Sequence, residues 1–141
     1  MDHSYKHAIT TQTYSTLIKT AGKNLQHVCH GLSRESGWWN DPKTGAPIDP
    51  KTPFLVPAKL MLCVTELSEA CEGDRKGLPD DKLPHRPMLE VELADAIIRC
   101  FDLGGALGFD VGGAIAEKLA FNAQRADHKP ENRAQAGGKA Y

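Results

Sequence analysis

Apolar residues return every three or four positions through the first stretch of the chain: Tyr14, Leu17, Ile18, Ala21, Leu25, Val28, Cys29 and Leu32. That interval matches the 3.6-residue turn, so it predicts one long amphipathic helix from about Thr11 to Glu35. The rhythm then stops. From Gly37 to Pro57, "GWWNDPKTGAPIDPKTPFLVP", repeated prolines and two glycines exclude a regular element. Pro57 suits the first turn of a second helix, where its missing N–H costs nothing, and this helix should reach Gly73 or Gly77. A polar linker, "DRKGLPDDKLPHR", follows, and Pro87 opens a third helix, "PMLEVELADAIIRCFDLGGALG", which Gly104-Gly105 should end or bend. Asp110 is placed to cap a fourth, "VGGAIAEKLAFNAQRAD". After His128 the segment "KPENRAQAGGKAY" has no apolar period and is expected to be mobile or laid over a partner.

No strand pattern interrupts this series. The expected fold is therefore all-α and four-helix bundle-like, with a long loop after the first helix, in a single domain 1–141 whose core spans about 11–127. The stripe on the first helix is wider than one subunit need cover, so a homo-oligomer is expected.

Composition narrows the partners. A formal net charge of −1 gives no basic excess for nucleic acid. No apolar run approaches the roughly 20 residues that span a bilayer, and "MDHSYKHAIT" lacks the apolar stretch of a signal peptide, so no membrane role and a cytosolic setting are expected. Cys29, Cys63, Cys71 and Cys100 lie in helical patterns without Cys-x-x-Cys spacing and read as buried free thiols.

Two acidic pairs change the picture. In "CVTELSEACEG" Glu66 and Glu69 are three residues apart, and in "EVELADAIIR" Glu92 and Asp95 repeat the spacing. Such residues share a helix face. Either pair alone is more often a solvated surface. On consecutive antiparallel helices, however, the pairs can face each other, and carboxylates about 6 to 8 Å apart repel by roughly 2 to 3 kcal/mol per pair. A hard divalent cation removes that conflict. Carboxylates without His or Cys favour magnesium or manganese, and magnesium is commonly shared with substrate phosphates. Glu72 lies about 120° around the helix from Glu66 and about 60° from Glu69, and falls at the edge of such a site. On the fourth helix, Lys118, Asn122 and Arg125 form a polar stripe able to meet phosphate oxygens, although such stripes are often only solvated.

Glu66-x-x-Glu69, Glu92-x-x-Asp95 and Lys118-x-x-x-Asn122-x-x-Arg125, in that order, resemble the MazG-like all-α nucleoside triphosphate pyrophosphohydrolases over about residues 11 to 127. The resemblance implies a helical catalytic unit that forms dimers or tetramers. It also implies hydrolysis between the α and β phosphates by in-line attack of water, aided by two or more magnesium ions for which manganese substitutes. It gives Glu66, Glu69, Glu92 and Asp95 catalytic and metal-ligand positions, and Lys118, Asn122 and Arg125 phosphate and sugar positions. His30 and Trp39 resemble base contacts of deoxycytidine-type relatives, and Arg99 stands where those relatives often carry an aromatic residue. The chain is also reminiscent of phage-associated members acting on purine deoxynucleotides, dGTP in particular. A pyrimidine substrate and a non-catalytic cation-binding helical module are the alternatives. Trp38 and Trp39 can stack on a base or cap the end of the bundle.

Overall fold

A computed structural model describes residues 11–136; the N-terminal "MDHSYKHAIT" and the last five residues, 137–141, fall outside this range. The described residues are all-helical, with two isolated bridges, Asn40–Pro47 and Pro79–Pro87, in place of any strand. Helix α1 runs Thr11–Glu35, α2 Leu55–Lys76, α3 Met88–Ala106, α4 Val111–Gln124 and the short α5 Pro130–Arg133. No helix among the described residues is long and apolar enough to cross a membrane.

The described residues group into two compact units, one of residues 24–110 and one of residues 11–23 with 111–136. In the larger unit, α2 and α3 are antiparallel. Gly73 meets Met88 near the connecting linker, Cys63 Sγ lies 3.8 Å from Cys100 Sγ, and Lys59 faces Asp102 at the far end. The second half of α1 also runs antiparallel to α3, with Gln26 donating to the Phe109 carbonyl and His30 beside Asp102 and Gly105. Three staves of a bundle result.

Gly105 makes this approach possible. A Cβ there would fall 2.5 Å from the His30 Cβ, closer than two carbons can come. The Gly104-Gly105 pair lies in the last turn of α3, which ends at Ala106, one residue beyond the pair, close to where the sequence places its end. Pro87 stands just before this helix as its cap residue.

The long loop is ordered by its own polar groups. Asp41 Oδ1 accepts from the backbone N–H groups of Lys43 and Thr44 and from the Thr44 hydroxyl, while Ile48 N–H donates to the Trp39 carbonyl. These bonds turn the chain back over Trp39, which is buried. The linker before α3 is closed in the same manner by buried Asp80, which accepts from the backbone of Lys82 and Leu83.

In the smaller unit, the first part of α1 crosses α4 at Gly22 and Gly112. A Cβ on Gly22 would lie 2.5 Å from the Gly112 Cα, so the two backbones touch directly. Helix α4 stops at Gln124, three residues short of the expected Asp127, and Arg125 is extended. The segment after His128 holds α5, tied back by Asn132 Nδ2 donating to the Ala126 carbonyl. All four cysteines are free, yet only Cys63 is buried; Cys71 and Cys100 are exposed because their helix faces are left uncovered within one chain.

Candidate functional site

The acidic residues of α2 and α3 meet across the helix pair. On α2, Lys59, Leu62, Glu66 and Glu69 follow a three-four-three spacing, and on α3 Glu92, Asp95, Arg99 and Asp102 do the same. Antiparallel packing therefore lays one polar stripe against the other. At the linker end, carboxylate oxygens of Glu66, Glu69 and Glu92 lie within 4.8 Å of one another. Glu66 and Glu92 are buried and Glu69 is exposed, so the trio opens to solvent on one side.

At that separation two like charges repel by roughly 3 to 4 kcal/mol at an effective dielectric of 20. The Glu92 carboxyl responds by holding its proton, its pKa pushed up to about 7 by burial first, then by its hydrogen bond with Glu66 and by the charges of Glu69, Glu66 and Asp95. Asp95 is not one of the three converging carboxylates, but its pKa is also raised, by burial and by the Glu66 charge. Arg99 Nε donates to Glu66 Oε1 at 2.7 Å. Arg99, which the motif resemblance places at a substrate-binding position, is thus a cation that offsets the trio. Glu72 stands apart, bound on its own helix by Arg75 and Lys76.

The opposite end of the α2–α3 pair is organised by Asp102, a residue the sequence reading passed over. Its buried carboxylate accepts from Trp39 Nε1 at 2.7 Å, His30 Nδ1 at 2.9 Å and the Ser33 hydroxyl at 2.9 Å. Lys59 Nζ lies 3.9 Å from the same carboxylate and 4.4 Å from the centre of the Trp39 ring. The His30 and Trp39 rings meet edge to face at 5.6 Å. The structure therefore brings His30 and Trp39 together, but Trp39 is only 5% exposed whereas Trp38 is 71% exposed. A signal for Asp102 was present in the sequence: it lies seven residues, two helical turns, beyond Asp95 on the same face.

Two cavities adjoin these groups. One of about 480 Å³ has apolar walls from Leu32, Trp38, Leu62 and Ile98 and polar ones from Lys59, Asp95, Arg99 and Asp102. A second, of about 580 Å³, lies between the end of α1 and the long loop, with His30, Arg34, Trp39 and Asn40 on its wall. Both cavities therefore combine apolar walls with several charged and polar side chains.

The expected stripe on α4 is divided. Lys118 Nζ sits 5.0 Å from the Phe121 ring centre, and the Asn122 side-chain oxygen is shut from solvent without a hydrogen-bond partner among the described residues. Arg125 lies beyond the helix end and is held by both oxygens of Asp127, which replaces the anticipated i, i+3 alignment with Asn122.

No family model, curated protein or solved structure matches this chain.

Proposed function

We propose that the chain is a magnesium-dependent nucleoside triphosphate pyrophosphohydrolase, converting a purine deoxynucleoside triphosphate such as dGTP to its monophosphate and pyrophosphate. The observation that carries this reading is the convergence of Glu66, Glu69 and Glu92 within 4.8 Å. An all-carboxylate donor set without His or Cys suits magnesium or manganese. Bound there, with Asp95 beside it, magnesium would supply charge stabilisation for phosphate oxygens and acidify water.

The protein's own side chains account for the rest. Asp95 and Arg99 line the 480 Å³ cavity, which offers the sugar of a nucleotide a partly apolar surface beside the exposed Trp38 ring. His30 and Trp39 are assigned to the base end. Lys118, Asn122 and Arg125 are assigned to phosphate and sugar on the strength of the motif resemblance. The resemblance of His30 and Trp39 to base contacts of deoxycytidine-type relatives supports a pyrimidine deoxynucleotide as the second reading; the two rings meet at 5.6 Å.

A homo-oligomer, dimer or tetramer, belongs to the same proposal. Leu17, Leu25, Val28 and Leu32 form a continuous stripe on α1 and are each about half exposed. A second copy would remove that apolar surface from water. The proposed setting is the cytoplasm, where nucleotides are available.

A panel of deoxynucleoside and ribonucleoside triphosphates with magnesium, scored for pyrophosphate against orthophosphate, tests the activity. Monophosphate with pyrophosphate is expected. Orthophosphate alone, or no turnover of any nucleotide, sinks the reading, and manganese binding without turnover would leave a cation-binding assembly module.

A further inference from the structure

We infer that Asp102 is a positioning residue: it fixes His30 with the proton on Nδ1 and leaves Nε2 as a hydrogen-bond acceptor for a ligand N–H on the wall of the 580 Å³ cavity. The inference rests on the functional reading above only in taking that ligand to be the nucleotide base.

The reasoning begins with what a carboxylate can do. An ionised carboxylate only accepts hydrogen bonds, so a ring nitrogen 2.9 Å from Asp102 Oδ1 must carry the hydrogen. In neutral imidazole one nitrogen donates and the other accepts, so fixing Nδ1–H makes Nε2 the acceptor. The other bonds to Asp102 keep the carboxylate from turning away. Trp39 Nε1–H shares Oδ1 with His30, and the Ser33 hydroxyl occupies Oδ2. Gly105 fixes the ring from beneath, because the α1–α3 contact at His30 leaves no room for a side chain there.

Position supports a role toward ligand as well as stability. A carboxylate needed only for packing would serve as well with any donors. Instead, two of its three hydrogen-bond donors, His30 and Trp39, are aromatic rings that line one cavity. Asp102 itself lines the neighbouring 480 Å³ cavity together with Asp95 and Arg99. It therefore stands between the carboxylate trio and the ring pair, so a change at Asp102 should alter ligand orientation and leave cation binding at the trio intact.

The test is nitrogen-15 NMR of the histidines in the full chain, with titration of a non-hydrolysable α,β-methylene deoxynucleoside triphosphate in the presence of magnesium. Wild type should show the neutral His30 ring as the Nδ1–H form. Asp102→Asn, whose amide can donate to Nδ1, should shift His30 toward the Nε2–H form and weaken nucleotide binding roughly tenfold, with manganese affinity within about twofold of wild type. Asp102→Glu should recover part of the binding. An Nε2–H form of His30 in wild type, measured without any substitution, overturns the inference, as does nucleotide affinity unchanged in Asp102→Asn. A wild-type chain that binds no nucleotide overturns the functional reading, whereas nucleotide binding that Asp102→Asn leaves unchanged overturns the role of Asp102 alone.

Discussion

The two ends of the α2–α3 pair hold acidic groups in opposite states. At the linker end, Glu66, Glu69 and Glu92 crowd within 4.8 Å, with Arg99 on Glu66 as the cation that an ion pair joins to them among the described residues. At the far end, the single carboxylate of Asp102 receives hydrogen bonds from Trp39, His30 and Ser33 and has Lys59 nearby. Both sites are built on the same helix faces by the same spacing. The contrast shows what neighbours do to a buried carboxylate. Surrounded by donors it ties elements together; surrounded by its own kind it stores a conflict that a cation can relieve.

The comparison fixes the sign of each substitution. Asp102→Ala should have the largest effect on folding. It leaves the Trp39 and His30 N–H groups without an acceptor and should cost about 3 kcal/mol in denaturant unfolding. A change under about 1 kcal/mol would mean that Asp102 does not bind the loop to α3.

Glu69→Gln should act on chemistry instead. It should lower pyrophosphate release and manganese affinity by an order of 100-fold, with stability unchanged or raised. Glu72→Gln, on the same helix but paired with Arg75 and Lys76, serves as the control and should stay within about twofold of wild type. Equal losses from the two variants would erase the distinction between site and bystander.

The smallest effect is the most diagnostic. The Glu92 pKa is raised from the ordinary carboxyl value of 4.5 to about 7, so the unfolded chain loses this proton before the folded chain does. Stability of the metal-free protein must then fall as pH rises from about 4.5 to about 7. A divalent cation must displace the same proton, so manganese should raise the melting temperature more at pH about 8 than at pH about 5.5. Glu92→Gln should flatten the metal-free pH profile and raise stability above pH about 7 by roughly 1 kcal/mol. A metal-free stability curve that rises through this range would show that the trio is not in conflict.

Helix α1 was legible in full, Thr11 to Glu35, because its apolar period is long and uninterrupted. The pairing of Glu66 and Glu69 with Glu92 was also legible, since three-residue spacing puts side chains on one face whatever the surroundings. Arg125 was misplaced for a related reason. The spacing rule holds only while the helix continues, and α4 ends at Gln124. Gly104 and Gly105 marked the end of α3, which falls at Ala106, because helix propensity is a local property; the close approach of His30 that also favours glycine at position 105 comes from another helix.

The sequence by itself determined the all-α class, the main helices and the two acidic pairs, because periodicity and turn chemistry are written in neighbouring residues. Only the tertiary structure decided which carboxylates converge, that Arg99 answers Glu66, and that Trp39 is buried while Trp38 is left in solvent. It alone disclosed Asp102, whose partners lie up to 72 residues away along the chain. The charge state and hydrogen bonding of a side chain depend on what packs within a few ångströms of it, and local sequence pattern does not encode that proximity.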